Sequence, residues 1–509
     1  MYVTQALHRM VQRAPEGVAT RDGERRWTWA ELADRVARFA GALQALGVRP
    51  GDRVAILSRN GDHFLEYVLG VLWAGGVINP VNLRWTPQEM GYSLADSDTR
   101  VLIVEPAFEA LLPAIRAEAP ALRHVLSTAE TATDGVVSRS RWMAGAAPVE
   151  DALRQGDDLA AILYTGGTTG RPKGVMLSHE NLVCSVLGTL SQPGCAPREC
   201  FLHSAPLFHI GGLSGLLSSL FAGATSAFVP QFEPVAVLQG LSVHGVTDAF
   251  FVPTMLRVLI DHPRFAEFDT SGVRSIRYGA SPMDDALLDR AMQAFPNVAF
   301  SQAYGMTELS PVCCILGPED HTVEARAQGR GRSAGRATTV CEVRIVGPDD
   351  RELPRDEIGE IVVRGPTVMQ GYWNKPEATA EAVRDGWMHT GDRGRMDAGG
   401  YVTIVDRLKD MIITGGENVY SAEVENVLAQ HPGVAAVAVI ALPDERWGER
   451  VHAIVVPRPG SPPDKASIDA HCRERLAGYK IPRTIEYVAN LPLSGAGKVL
   501  KSELRRERA

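Results

Sequence analysis

Leu163-Tyr164-Thr165-Gly166-Gly167-Thr168-Thr169-Gly170-Arg171-Pro172-Lys173-Gly174 decides how the rest of the chain is read. The apolar run Leu159 to Leu163 enters it and has the length of a short buried strand. Glycine lets backbone N–H groups turn toward a ligand, threonine adds hydroxyl donors, and Lys173 adds positive charge. Those are the parts of a loop that holds a polyphosphate. The order is not that of a Walker loop, which needs Gly-Lys-Ser/Thr in series. Here Arg171 and Pro172 separate Gly170 from Lys173, and Gly174 follows the lysine. Taken alone, the stretch reads equally well as a polar surface turn.

Upstream, Thr28 reads as an N-cap with Glu31 as its capping-box partner. Leu32, Val36, Phe39, Leu43 and Leu46 follow at helical spacing, and Gly47 ends that helix. Arg53 to Leu57, Val77-Ile78 and Val101 to Val104 read as strands. Helices near His63 to Ala74 and Pro87 to Asp96 lie between them. That alternation predicts a mostly parallel sheet covered by helices. Residues 120–157, richer in small and acidic residues, are expected to be a variable loop. After a helix at Ser178 to Leu190 the rhythm resumes through Val246 to Phe251, Val273 to Tyr278 and Val298 to Gln302, which predicts a second parallel sheet. Cys341 to Val346 and Gly359 to Arg364 alternate about a Pro-Asp-Asp turn, as antiparallel strands of a small β-barrel-like unit do. Beyond Arg407, a helix at Ala422 to Gln430, strands at Val434 to Ala441 and His452 to Val456, and a helix at Ile468 to Leu476 make an α+β domain of about 100 residues. The expected fold class is α/β: a large N-terminal domain of two parallel αβ sheets plus the β-barrel-like unit, then a small α+β C-terminal domain.

A chain of 509 residues and 55.0 kDa exceeds one ordinary core, given ~150 residues per domain. Its net charge of −8 and pI of 5.9 argue against a nucleic-acid partner, which calls for a basic face. Met1 to Gly17 lacks the apolar block of a signal peptide, so a cytoplasmic location is expected. Seven scattered cysteines, with no C-x-x-C pair, fit reduced thiols and give no support to zinc. Phe201 to Phe232 carries no Asp, Glu, Lys or Arg, but His203, Pro206, His209, glycines and serines interrupt it. It is read as an interior strand, turn and helix, not a transmembrane segment.

Several short stretches carry candidate chemistry. Tyr304-Gly305-Met306-Thr307-Glu308 follows a strand end, where open α/β sheets bind ligands. An aromatic ring can stack on a base, a threonine can bind phosphate, and a carboxylate can hold Mg²⁺. An exposed turn with a capping Glu would look similar. Trp387 to Asp392 and Asp406-Arg407-Leu408-Lys409-Asp410 offer a carboxylate and a guanidinium suited to ribose hydroxyls, or an ordinary surface pair on a hairpin. Ile413-Thr414-Gly415-Gly416-Glu417-Asn418 is a glycine turn before a helix. Ser494-Gly495-Ala496-Gly497-Lys498 puts a lysine on a Gly-flanked turn, and His209 follows Pro206-Leu207-Phe208. Each has a bland reading as a helix entry, a solvated charge or a packed histidine.

Together, Tyr164 to Gly174, Tyr304 to Glu308, Trp387 to Asp392, Asp406 to Asn418 and Ser494 to Lys498 resemble the adenylate-forming superfamily. That superfamily comprises acyl-CoA synthetases, peptide-synthetase adenylation domains and firefly luciferase. The motifs stand in the family's order, and the resemblance covers nearly the whole chain. It implies that Thr165, Gly166, Gly167, Thr168, Thr169, Gly170 and Lys173 hold the β- and γ-phosphates of ATP. Gly279, Ala280 and Ser281 would border adenine and the acyl pocket. Tyr304 would stack on adenine beside Gly305 and Met306, and Thr307 would touch the α-phosphate. Glu308 with Thr165 would hold Mg²⁺, and Asp392 with Arg407 would bind ribose. Lys498 would bridge the carboxylate and α-phosphate during adenylation, with Glu308 and His209 as its catalytic companions. His209 would sit between the ATP site and the acyl pocket. Gly415, Gly416 and Glu417 would face the pantetheine of CoA. Lys409 would be the hinge between domain 1–407 and domain 408–509. Gly166 departs from many relatives, which have serine there. Activity is expected to survive that change because backbone N–H groups do most of the holding.

The resemblance implies an AMP-forming acid–thiol ligase. It would turn a fatty or aryl acid and ATP into an acyl-adenylate, then pass the acyl group to CoA. ATP, CoA and a hydrophobic or aromatic acid are the implied partners, and a homodimer is admitted. The few charges in Leu213 to Val229 and Phe250 to Thr254 favour an apolar acid over an amino acid. A stand-alone adenylation enzyme that loads a carrier protein is the alternative. A nucleotide-binding protein without turnover fits less well, because Lys498, Glu308 and Asp392 are all present.

Overall fold

The computed structural model describes residues 1–508 apart from 132, 134, 166–170, 198, 282, 408, 409, 415, 416, 461 and 496, and it describes Arg407 without its side chain. Among these residues, the strands at Val77–Pro80, Arg53–Leu57, Val101–Val104 and His124–Ser127 run parallel in a seven-stranded sheet. Leu159–Thr165 joins that sheet parallel to Val77–Pro80 and turns back antiparallel into Lys173–Ser178, with Gly371–Tyr372 at the edge. The second sheet has nine strands. Ala299–Gly305, Ser275–Gly279, Asp248–Phe251, Cys200–His203 and Thr225–Phe228 are parallel neighbours at its centre.

The helices between these sheets are apolar on nearly every side, as buried helices must be. In Asp62–Trp73 every residue except His63 is buried, and ten consecutive residues of Ile210–Ala222 are buried. Trp29–Ala45 starts at the expected capping box of Thr28 and Glu31 and packs on Asp62–Trp73. Its Phe39 ring fits there because position 70 is glycine: a Cβ on Gly70 would lie 2.4 Å from that ring.

The antiparallel unit is a five-stranded sheet built on Glu342–Val346, Gly359–Arg364, Trp387–Met396 and Val402–Arg407. The C-terminal unit is a second five-stranded sheet centred on Val434–Asp444 and Gly448–Pro457. It is covered by the helices Ser421–Ala429 and Lys465–Arg473. The expected α/β class therefore holds, with a curled antiparallel sheet and a smaller C-terminal domain. None of the helices among the described residues is long and apolar enough to cross a membrane, and Phe201 to Phe232 forms the interior strand, turn and helix expected of it.

Two elements differ from expectation. Residues 120–157 are not all loop: His124–Ser127 adds a strand, and Arg139–Trp142 is a helical turn. Trp142 there is buried edge-on to Phe39 and donates to the Ser127 carbonyl at 3.0 Å. Four residues are too few to reveal a period, so this strand is supplied by its pairing with Val101–Val104. The six-residue Lys173–Ser178 strand is likewise supplied by its pairing, here antiparallel with Leu159–Thr165.

Three histidines are enclosed as neutral rings. Burial pushes His203 down to about 3 between the rings of Phe201 and Phe228, and His179 down to about 4. His209 also falls to about 4, through burial and then the charges of Lys498 and Arg84. An unfolded histidine titrates near ~6.5. As pH falls from there toward 4, the unfolded chain takes up protons that the folded chain refuses, so stability declines. The melting temperature is expected to drop by several degrees between about pH 7.5 and about pH 5.5, and His203→Leu to flatten part of that slope. Melting curves across that range check it; a flat wild-type profile contradicts it.

Candidate active site

The ends of the central strands of both sheets carry the motif residues, as open α/β sheets place a ligand. Leu159–Thr165 delivers Thr165, whose register partner is Lys173, and the Thr165 hydroxyl donates to the Lys173 carbonyl at 3.5 Å. Gly166, Gly167, Thr168, Thr169 and Gly170 lie outside the described residues. The foot of the loop is braced by Asp96. The Tyr164 hydroxyl donates to its Oδ2 at 2.6 Å, Trp373 Nε1 donates to its carbonyl at 2.8 Å, and Lys375 Nζ stands 3.9 Å from its Oδ1.

Ser275–Gly279 ends at Gly279, paired with Ala303. Ala280, with φ +67°, holds a left-handed conformation that costs a non-glycine residue about 1–2 kcal/mol. This strained residue and Ser281 follow the strand end beside Tyr304, at a place where strain commonly marks function. Ala299–Gly305 brings Tyr304 and Gly305. A Cβ at Gly305 would fall 1.7 Å from the Pro311 carbonyl oxygen, so glycine alone fits. Met306 donates its N–H to that same carbonyl at 3.0 Å, and Thr307 opens the turn that carries Glu308.

Two tyrosines order the carboxylates. The buried Tyr304 hydroxyl donates to Asp392 Oδ2 at 2.8 Å, and burial together with that carboxylate pushes the phenol well up. The Asp392 N–H is in turn held by Thr390 Oγ1 at 3.1 Å, and Arg407 is the register partner of Asp392 on the next strand. The Tyr372 hydroxyl donates to Glu308 Oε1 at 2.9 Å, and Lys173 Nζ lies 4.9 Å from the centre of the Tyr372 ring. Burial and then Glu308 push the Tyr372 phenol up. Tyr372 and Asp96 are supporting residues that motif reading missed. The aromatic pair Tyr372-Trp373 after Gly371 was the available signal.

The Lys498 turn lies over the N-terminal region. Arg84 Nη1 donates to the Ser494 carbonyl at 2.8 Å, and the Thr254 hydroxyl donates to that of Gly497 at 3.2 Å. A Cβ at Gly495 would sit 2.8 Å from His209 Nε2 and 3.0 Å from Asn82 Oδ1. Ser494 Oγ accepts the Lys498 N–H at 3.1 Å, closing the turn. His209 and Lys498 are thus brought together. Glu417 is not: it is exposed at the tip of the hairpin Ile412–Thr414 and Glu417–Val419. Gly415, Gly416, Lys409 and the Arg407 side chain lie outside the described residues.

Below the turn, a narrow cavity is lined by Phe201, His203, Ala205, Gly211, Gly215 and Phe250, an apolar wall with one neutral imidazole. The seven cysteines are free thiols, six of them buried. Among the described residues, Asp22, Asp62 and His63 could gather around a metal, but Arg25 already pairs with both carboxylates.

The Gly/Thr-rich sequence at 165–174, the Tyr304–Asp392 pair and the Lys498 turn of the C-terminal unit point to the class of adenylate-forming enzymes. Residues 7–373 match the model of the AMP-binding enzyme family and residues 423–498 that of the AMP-binding enzyme C-terminal domain, so the chain belongs to this family. It is similar to a feruloyl-CoA synthase of Amycolatopsis sp, with 43% identity over 98% of this chain and 97% of that one. It is 37% identical to a long-chain-fatty-acid–CoA ligase of Mycobacterium tuberculosis, over 95% of this chain and 93% of the other. Among solved structures, an anthranilate CoA ligase in complex with anthranoyl-AMP superposes with a TM-score of 0.93 at 28% identity, covering 100% of this chain and 97% of that one. Within the family the chain is an AMP-forming acyl-CoA synthetase, with ATP, CoA and a carboxylic acid as its substrates.

The Tyr372 hydroxyl is expected to matter as a donor to a buried carboxylate. Tyr372→Phe should slow adenylate formation by about five- to ten-fold, since a hydrogen bond to a charged group is worth about 1.5–3 kcal/mol and part of it is recovered from water. Acid-dependent exchange of pyrophosphate into ATP checks this, and an unchanged rate would contradict it.

Proposed function

We propose that the motif residues divide the two half-reactions between them, and that the acid is aromatic or otherwise apolar. In the first step a carboxylate oxygen of the acid bonds to the α-phosphorus of ATP. The bond to the β-phosphate oxygen breaks, and pyrophosphate leaves with the electron pair. Thr165 to Gly170 and Lys173 hold the β- and γ-phosphates, Thr307 the α-phosphate, Tyr304 the adenine, and Asp392 with Arg407 the ribose. Gly279, Ala280 and Ser281 border the base. Lys498 offsets charge on the acid and the α-phosphate as the bond forms. His209, neutral at working pH, separates this site from the acyl cavity.

Glu308 and Thr165 would hold Mg²⁺. The fit rests on Glu308: among the described residues this buried carboxylate has a hydroxyl donor, and no ion pair is formed with it. Such a group is suited to a hard cation, and Mg²⁺ would neutralise phosphate charge there.

In the second step the thiolate sulfur of CoA attacks the acyl carbon and AMP leaves with the former carboxylate oxygen. We assign 408–509 as a domain that turns about Lys409 between steps, withdrawing Lys498 and presenting Gly415, Gly416 and Glu417 to pantetheine. The observation that carries the reading is the Lys498 turn seated on Arg84, Thr254 and His209. An aryl acid is supported by likeness to feruloyl-CoA and anthranilate ligases. A cytoplasmic site of action, where ATP and reduced CoA are abundant, belongs to the same proposal.

Lys498→Ala is expected to lower adenylate formation about 10²-fold or more while sparing thioester formation from supplied acyl-adenylate. Equal loss of both overturns its role. With wild-type enzyme, a panel of cinnamic, benzoic and fatty acids tests the substrate. AMP and thioester should rise together, most with aryl acids. AMP without CoA thioester from any acid would favour a carrier-protein acceptor and overturn the CoA assignment.

A further inference from the structure

The Ser421–Ala429 helix has no cap of its own, because Tyr420 at its N-cap position makes no side-chain bond to the first turn. The cap comes from across the joint. Ser421 N–H donates to Asp406 Oδ2 at 2.5 Å, and Ser421 Oγ lies 3.0 and 2.9 Å from the two carboxylate oxygens. Asp406 stands on Val402–Arg407 of the antiparallel sheet, before residue 409, and Ser421 stands after it. Both residues are buried.

The chain of contacts continues. Lys501 Nζ donates to Ser421 Oγ at 2.7 Å and pairs with Glu425 Oε1 at 2.7 Å. Lys501 lies three positions beyond Lys498 and opens the Lys501–Arg506 helix. A line of short polar contacts therefore runs from the last strand of the antiparallel sheet to the root of the Lys498 turn.

Other bonds across the joint end on backbone carbonyls. Arg84 reaches the Ser494 carbonyl at 2.8 Å, Thr254 that of Gly497 at 3.2 Å, and Arg257 that of Ala435 at 2.6 Å. Arg84 is exposed and Arg257 keeps Asp284, so both guanidiniums have other partners when those carbonyls withdraw. A buried carboxylate that caps a helix gains from the helix dipole and from charge-assisted bonds, and all of that is lost when the pieces separate.

We propose that Asp406 is a positioning residue for adenylation: it caps the Ser421–Ala429 helix across the joint and, through Ser421 and Lys501, holds the Lys498 turn over the nucleotide site. The same bonds must break when the C-terminal domain turns, so the cap biases the enzyme toward its adenylate-forming arrangement. This rests on the proposed reading that Lys498 serves adenylation and that 408–509 rotates.

The test uses full-length Asp406→Asn and Lys501→Met in two assays, acid-dependent pyrophosphate exchange and thioester formation from supplied acyl-adenylate. Each variant should lose about ten-fold in exchange and stay within about two-fold of wild type, or rise, in thioester formation. The double variant should lose no more than the worse single, because both act through one chain of contacts. A KM for ATP that changes in Asp406→Asn but not in Lys501→Met would assign the effect to the neighbouring Arg407 and overturn the cap. Equal loss in both assays marks a merely structural role and also overturns it, as does unchanged exchange. If Asp406→Asn fails to fold, Lys501→Met alone decides. Lys498→Ala run alongside separates the two readings. If it retains exchange, the assignment of Lys498 falls. If it shows the split while Lys501→Met behaves as wild type, the cap alone falls.

Discussion

A carboxylate can stay buried only if something donates to it, and Glu308 is kept by the Tyr372 hydroxyl. That bond does more than satisfy one side chain. Tyr372 belongs to the edge of the seven-stranded sheet, and Glu308 to the turn after a central strand of the nine-stranded sheet. The Met369 N–H reinforces the join by donating to the Glu308 carbonyl at 2.9 Å. The two sheets are thereby locked in one relative register at their strand ends. The spacing between Thr165 and Lys173 on one sheet and Tyr304 on the other depends on that register.

A second constraint is charge. An enzyme that brings a carboxylate against a polyphosphate needs cations nearby, yet cations repel one another. The structure separates them by element: Lys173 at a hairpin base, Lys498 on a turn of the C-terminal unit, and Arg407 on the antiparallel sheet. His209, which feels the Lys498 charge, is held neutral and does not add to that repulsion. Under the proposed reading, the lysine on the C-terminal unit is the one needed in a single step, which would link the charge problem to domain motion.

The fold was legible in sequence wherever a long period was present. The capping box at Thr28 and Glu31, the stripe from Leu32 to Leu46 and the change to alternation near Cys341 each located an element. Elements held by their neighbours were not legible. His124–Ser127 and Lys173–Ser178 are strands because a partner strand offers the hydrogen bonds. The site was legible as a set of motifs, but its supports were not. Tyr372 and Asp96 carry no motif, and each acts on a residue far away in the chain, 64 positions for the first pair and 68 for Asp96 and Tyr164.

For this chain the sequence determined the family, because five motifs stand in the family's order although each alone had a bland reading. Glycines, threonines and a lysine in one loop suit phosphate, and an acidic–aromatic set suits a nucleotide, because those preferences are local properties of side chains and backbone. Tertiary structure decided what those groups can do together. It set Tyr304 on Asp392, Tyr372 on Glu308 and the Lys498 turn on His209, and it placed Asp406 at the head of the Ser421–Ala429 helix. Distances of a few ångströms between residues tens or hundreds of positions apart depend on how whole sheets pack, and packing is a sum over the entire core that no short stretch of sequence contains.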